Sequence, residues 1–426
     1  MMNRIARQSC LTACAAALLL AGCSNTAAPG AGSRATATHR APARVVNYFG
    51  NTVPNHVLTW AWIEHKNNVS PSQAAPYLDW AEVQGADANA FSAAGMKTVL
   101  YTDPNRTYPG QPMYTTDEST FAHDCAGNRI TIRGRAGPTY QMDPSSAHLL
   151  QLWTSWVDWA LNGGVHYDVI FDDSADSVHN GSALPCGFDQ TSWTLASNLM
   201  NAGLRKNIIF NGLGTLADGT SKPPPSIGLN PSVIGGMLEG CYGNISSSDP
   251  LPKKVVWQNY ENSELTMSTL HKTFVCRGMK STPAETALAL RMYMYASFLL
   301  TYDPSSSIIS EKFSTPSNLE IEPESGLVAL NPLITAPADI SGLSTAPFTY
   351  GRQYASCYLN GQAIGSCAAI VNADGPKHEH PFPWPGVYSH TLVLNGAGVL
   401  DGGTASVNGP APGANIAGTT AEIALQ

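Results

Sequence analysis

Hydrophobic positions in this chain fall into two patterns. One is a short, near-continuous run of apolar or β-branched residues, as at 97–103 (KTVLYTD), 167–176 (YDVIFDDSAD), 207–211 (NIIFN) and 233–239 (VIGGMLE). Such runs are expected of parallel strands that helices cover on both faces. The other recurs at three- and four-residue spacing. At 146–162 it lines up Leu149, Leu152, Trp153, Trp156, Val157, Ala160 and Leu161, and Gly163-Gly164 ends it. At 189–206 it lines up Trp193, Ala196, Leu199, Met200 and Leu204. Both stretches predict amphipathic helices. A shorter helix is predicted at 86–94, stopping at Gly95, and a longer one at 253–270. Thr282-Pro283-Ala284-Glu285 has the capping-box pattern and starts a helix to about 296.

Taken in order, strands are predicted at 44–50 (RVVNYFG), 97–103, 139–143 (TYQMD), 167–173, 207–211, 233–239, 273–276 and 298–303 (FLLTYD). The run 55–65 (NHVLTWAWIEH) reads as either strand or loop. Eight strands alternating with helices over roughly 260 residues predict a (β/α)8 TIM barrel rather than an open sheet. From about residue 336 the texture changes to short strands between Gly, Pro and Asn turns, at 352–359, 367–371, 387–394 and 421–425. Asn360-Gly361 is a hairpin signal. The predicted organisation is therefore a barrel over 44–335 and a small C-terminal antiparallel β-sandwich over 336–426.

Composition narrows the function. A net charge of −8, with only 13% charged residues and no Lys/Arg run, excludes the basic face of a nucleic-acid binder. Arg4 and Arg7 precede an apolar stretch at 11–21 that is too short to span a membrane. It closes on Leu20-Ala21-Gly22-Cys23, which resembles a bacterial lipobox. On that reading 1–23 is a signal, Cys23 carries the lipid, and the Ala/Thr/Gly/Ser/Pro-rich 24–43 is a flexible tether. Ser24, where an Asp would retain a Gram-negative lipoprotein at the inner membrane, implies the outer membrane.

Six cysteines remain beyond Cys23, an even number in an oxidising compartment. The favoured pairs are Cys357–Cys367 as a hairpin staple, Cys241–Cys276 across neighbouring barrel units, and Cys125–Cys186 between long loops. No spacing points to zinc. His378-Glu379-His380 sits in a Pro-rich loop and reads as solvated rather than metal-binding, and no cofactor is expected.

Candidate chemistry lies in acids that close predicted strands: Asp103, Asp143, the pair Asp172 and Asp173, Glu239 and Asp303. The ordinary role of one such acid is a helix cap. In a barrel, however, the strand ends converge, and crowded carboxyls separate into a protonated acid and an ionised base or nucleophile. Glycoside cleavage needs that division.

Asp143-Pro144, the amphipathic helix, the strand ending FDD, Asn211-Gly212, Leu238-Glu239-Gly240 and Tyr350-Gly351-Arg352 together resemble the glycoside-hydrolase barrels of bacterial secreted proteins. In outline these are the glycoside hydrolase family 114 and alpha-galactosidase-like enzymes. The resemblance covers residues from about 45 to the C-terminus. It implies Asp172 on the fourth strand as nucleophile or stabilising carboxylate, and Glu239 on the sixth as general acid/base. Several related families carry Asp at the latter position. Asp173 is the rival to Asp172, because strand alternation sends the two in opposite directions. Asp172 is preferred on the view that Ile170 shares its inward face.

Asp103, Asp143, Asn211 and Asp303 are then candidates for hydrogen bonds to sugar hydroxyls, and Tyr48, Trp62, Tyr101, Tyr242 and Trp257 for stacking. The expected function is a surface-anchored glycoside hydrolase acting on an oligo- or polysaccharide. The alternative is a glycan-binding lipoprotein without catalysis. A third reading, metal-dependent hydrolysis through Asp172, Asp173 and His179, ranks below both.

Overall fold

The computed structural model describes residues 55–63, 69–133, 138–173, 175, 184–213, 230–243, 254–278, 284–315, 318–382 and 386–426. The signal with Cys23, the tether, the run 44–50 with Tyr48, the cap at Thr282-Pro283, and His179 lie outside these residues.

Eight parallel strands close into a barrel: β1 (Leu58–Trp62), β2 (Trp80–Glu82), β3 (Lys97–Thr102), β4 (Val169–Asp172), β5 (Ile208–Asn211), β6 (Val233–Glu239), β7 (Thr273–Arg277) and β8 (Ser307–Ser310). Each pairs with the next, and β8 closes on β1. The helices between them are α1 (Pro71–Ala74), α2 (Asp87–Ala93), α3 (Ala147–Asn162), α4 (Gln190–Leu204), α5 (Lys254–Thr269) and α6 (Ala284–Thr301).

The capping chemistry explains where the helices begin. Ser146 accepts from Leu149 N at the start of α3, and Asp189 and Ser192 form a reciprocal box at the start of α4. Leu149, Trp153 and Val157 are the buried stripe of α3. On β6, a Cβ at Gly235 would sit 2.7 Å from the Thr273 carbonyl, and one at Gly236 would sit 2.9 Å from Leu213. Only glycine permits that approach.

Alternation along the strands sorts the apolar side chains. Trp60, Trp80, Val99, Val169, Phe171, Ile209, Met237, Val275 and Ile308 form one buried cluster that fills the barrel. Ile170, Ile208, Phe210 and Leu238 belong to another, shared with α3, α4, α5 and α6. Trp60 stacks on Trp80 at 5.9 Å and meets Phe171 at 5.7 Å, so an aromatic plug lies under the mouth.

The strand count matches the prediction, but its membership does not. The 55–65 run supplies β1. Trp80–Glu82, outside the predicted strands, is β2. The TYQMD stretch is instead Pro138–Gln141, the central strand of a three-stranded antiparallel flap with Arg106–Thr107 and Thr131–Arg133. FLLTYD is not a strand: 298–301 is the last turn of α6, and β8 comes after it. A short apolar run cannot be told from a buried helix by periodicity. From Tyr293 on, α6 is buried on every side, because the barrel flanks it on one side and the C-terminal sheet on the other.

That sheet is antiparallel, in the order β9 (Leu327–Pro332), β10 (Thr349–Leu359), β11 (Gln362–Asn372), β13 (Thr420–Leu425) and β12 (His390–Thr391), with Ser344–Ala346 paired to β10. The β10–β11 hairpin turns at Asn360 and Gly361, both at positive φ. Ala369 and Val371 face α6, while Ile370 packs with Phe382 and Ile416 beside a two-stranded ribbon. Among the described residues, the far layer is thus that ribbon with loops, where a second sheet of a sandwich was expected. Arg352 ties the sheet to the helix by donating to the carbonyls of Leu300 and Tyr302 at 3.0 and 3.2 Å. All three expected disulfides are present: Cys125–Cys186, Cys241–Cys276 and Cys357–Cys367.

Candidate active site

Inward alternation continues past the aromatic plug to the C-terminal ends of the strands. Trp62, Glu82, Asp173, Asn211, Glu239 and Arg277 are the next inward positions on β1, β2, β4, β5, β6 and β7. Registers join them in pairs: Trp62 stands opposite Glu82, and Arg277 opposite Glu239. Tyr101 and Asp103 come from the end of β3, and Arg106 from the first strand of the flap.

Asp173 is the hub. Its Oδ2 accepts from Tyr101 Oη at 2.6 Å and from Arg106 Nη2 at 2.9 Å, and its Oδ1 accepts from Asn211 Nδ2 at 2.8 Å. The same Asn211 nitrogen donates to Glu239 Oε2 at 3.1 Å. One amide therefore bridges two carboxylates from different strands. Its two bond lengths place those oxygens within about 6 Å of each other. Glu239 is 45% exposed, and Arg277 Nη1 lies 3.6 Å from its Oε1. Beyond Arg277, 6.0 Å from its guanidinium carbon, is the ring of Trp62.

Two further carboxyls lie deeper. Glu82 is only 3% exposed, and its Oε2 is 3.3 Å from Trp60 Nε1. Burial raises it to about 8 against the pull of Arg277, with Asp173 and Glu239 adding repulsion. Asp103 accepts from Arg106 Nε at 2.6 Å through Oδ2, while its Oδ1 is buried without a partner among the described residues. Burial raises Asp103 to about 8 as well, opposed by Arg106 and reinforced by Asp173. A single guanidinium serves Asp103 and Asp173, and it cannot neutralise both. The proton resides on the more deeply buried Asp103. At neutral pH Glu82 and Asp103 thus keep their protons. Burial and the neighbouring carboxylates also push the Tyr101 phenol well up, which keeps it a donor.

The predicted residues divide accordingly. Trp62, Tyr101, Asp103, Asp173, Asn211 and Glu239 meet at the mouth. Asp172 does not. It is 0% exposed on the outer face of β4, and its Oδ2 accepts from Asn201 Nδ2 of α4 at 2.9 Å. The preference for Asp172 requires an inward Ile170, but Ile170 packs against the helices, so the parity of FDD is reversed. Asp143 instead accepts from Ser145 N and Oγ at the entry to α3. Asp303 binds Ser305 and Ser268 before β8 begins, at the opposite end of the barrel. Tyr242 and Trp257 are buried among the helices, where Tyr242 Oη donates to Glu264 and Trp257 Nε1 to Ser297. Asp172 and Asp173 also project to opposite faces, so they cannot converge on one ion. His378 and His380 both bond Asp374.

Sequence reasoning missed Glu82, Arg106 and Arg277. Acids that close predicted strands do not include Glu82, because its three-residue strand carries no apolar run. Arg277 ends β7 in a basic residue, which an acid-based criterion passes over.

A closed parallel barrel with a carboxylate cluster at its C-terminal mouth is the class of protein that fold and site define. No family model matches the chain, and no curated protein matches it. Solved structures it is similar to include glycoside hydrolases. One is the glycoside hydrolase domain of PelA from Pseudomonas aeruginosa, at 13% identity over 61% of this chain and 95% of that one, with a TM-score of 0.41. Another is Ega3 from Aspergillus fumigatus in complex with galactosamine, at 13% identity over 64% and 100%, with a TM-score of 0.42. A third is a GH30 endoxylanase from Clostridium papyrosolvens, at 10% identity over 88% and 97%, with a TM-score of 0.42. At such identities and scores none of these likenesses decides which reaction this chain performs.

Proposed function

We propose that this protein is a glycoside hydrolase that cleaves an oligo- or polysaccharide by double displacement, with Asp173 as nucleophile and Glu239 as acid/base. The observation that carries the reading is the Asn211 amide, which holds both carboxylates at once. Retaining enzymes place their two carboxyls roughly 5–5.5 Å apart, and inverting enzymes leave roughly 6.5–9.5 Å for a water. A bound of about 6 Å between the bridged oxygens favours retention.

Asp173 suits the nucleophile's part. Tyr101 and Arg106 fix one of its oxygens, and the other, held by Asn211, lies toward Glu239. The half-exposed Glu239 can reach a leaving oxygen. In the first step Glu239 gives its proton to the glycosidic oxygen, the C–O bond breaks, and Asp173 bonds the anomeric carbon. In the second, Glu239 takes a proton from water, whose oxygen displaces Asp173. Protonated Glu82 and Asp103 can donate to sugar hydroxyls, and Trp62 offers an apolar wall.

The test is the release of new reducing ends from a panel of polysaccharides by the mature chain and by Glu239→Gln. Products from the native protein, and a loss of about 10²–10⁴-fold in the variant, support the reading. Equal release by both contradicts it. Binding without any product favours the non-catalytic glycan-binding alternative. Export and anchoring through Cys23 form a separate part of the proposal. Radiolabelled fatty acid incorporated by the native chain and not by Cys23→Ala supports it, and equal labelling refutes it. Among the described residues no helix is long and apolar enough to cross a membrane.

A further inference from the structure

Beside the mouth, the flap, the outer side of β3 and α3 enclose a cleft of about 1140 Å³. Its upper end is built from site residues, Trp62, Tyr101, Asp103 and Arg106. Its far end is built from Trp156 and Trp159 of α3, which lie on one side of the helix at i and i+3, and Tyr108 borders it from the flap. Two of these rings face solvent to an unusual degree: Trp159 is 72% exposed and Tyr108 46%. The inner stripe of α3 is already supplied by Leu149, Trp153 and Val157, so Trp159 adds nothing to the core.

Size and charge restrict the occupant. Small-molecule pockets run to roughly 300–1,000 Å³, so this cleft has room for more than one sugar ring. Among the described residues that line it, Arg106 is the only fixed charge, since Asp103 keeps its proton, and the guanidinium is paired with Asp173 at 2.9 Å. The cleft therefore offers no unpaired charge to attract a polyanion or a polycation. What it presents is aromatic rings with the amides of Gln84 and Gln111 beside them. That combination matches a pyranose, with its apolar C–H face and rim of hydroxyls.

We propose that this cleft is the binding track for an extended, uncharged polysaccharide, one end at the carboxylate pair, with Trp159 and Tyr108 as remote stacking platforms. The proposal rests on the hydrolase reading for the direction of the chain but not for its affinity, and the experiment separates the two. Affinity electrophoresis is run on the full chain carrying Glu239→Gln, in gels containing neutral, acidic or basic polysaccharides. Trp159→Ala and Tyr108→Ala are then added to it one at a time. Both rings are exposed, so the fold survives, and thermal melts verify this. Leu199→Ala, on the exposed face of α4 away from the cleft, is the control.

Retardation by a neutral polymer that weakens roughly tenfold with Trp159→Ala, and not with Leu199→Ala, is the expected result. Neutral-polymer affinity untouched by both cleft variants overturns the proposal, as does retention by charged polymers alone. In the otherwise native chain, Trp159→Ala should lower kcat/KM on the polymer by about tenfold more than on a short glycoside of the same sugar. If binding depends on Trp159 yet no polymer is ever cleaved, the track stands and the hydrolase reading falls. If cleavage occurs and polymer affinity ignores Trp159, the reverse holds.

Discussion

Replacing Glu82 with glutamine has a calculable consequence for stability. In the folded chain the Glu82 carboxyl is raised from 4.5 to about 8, first by burial and then by Asp173 and Glu239. Unfolded, it ionises at its ordinary value. Between those limits the unfolded chain has lost the proton and the folded chain keeps it, so stability falls as pH rises. The slope is about 1.4 kcal/mol per pH unit, accumulating to roughly 4–5 kcal/mol between pH 4.5 and 8. In Glu82→Gln the amide cannot ionise in either state, and its carbonyl can still accept from Trp60 Nε1. Denaturant unfolding of both proteins at unit steps from pH 5 to 9 isolates the effect as the difference between two curves. The wild type should lose stability relative to the variant by about 1.4 kcal/mol per unit until pH 8, then run parallel. Parallel curves throughout would mean that Glu82 is ionised in the folded state. The account of a protonated carboxyl under the reactive pair would then be wrong.

Three other outcomes follow from the same geometry. The first sugar released, observed by proton NMR before mutarotation, should keep the anomeric configuration of the substrate, and an inverted product would contradict the carboxylate spacing. Asn211→Ala removes the amide that holds Asp173 and Glu239, and steady-state kinetics should show kcat/KM lower by about 10²-fold, whereas a change below twofold would show that the bridge is idle. Glu264 is raised to about 7 by burial, against donors from Ser307, Thr301 and Tyr242. Thermal melts should show the wild type losing ground to Glu264→Gln from about pH 4.5 to 7, and no such divergence would refute the assignment.

Much of the barrel can be read from the chain because its strands are pure. VIF, IIF and the VIGGML run carry no competing polar period, and α3 and α4 have both caps and stripes. The disulfide pairs follow from which loops and strands adjoin. Other features are hidden for physical reasons. β2 is three residues long and ends in a buried Glu, so no apolar run announces it. From Tyr293 on, α6 is buried on every side, which erases the period that separates helix from strand. The acids at 143 and 303 are placed by Ser145 and Ser305 as local turns, the ordinary fate of an Asp two residues before a Ser. At the site, alternation correctly sets Asp172 and Asp173 on opposite faces. Which face is inside depends on whether Ile170 or Phe171 fills the barrel, and both are fully apolar.

That parity decides the most direct measurement: polysaccharide cleavage by Asp173→Asn beside Asp172→Asn. Asp173→Asn should lose about 10²–10⁴-fold in kcat/KM, because the charged oxygen facing Glu239 is gone. Asp172→Asn keeps a neutral, hydrogen-bonded side chain against Asn201 and should stay within a few-fold of the native rate. Activity lost with Asp172→Asn and kept with Asp173→Asn would contradict the account.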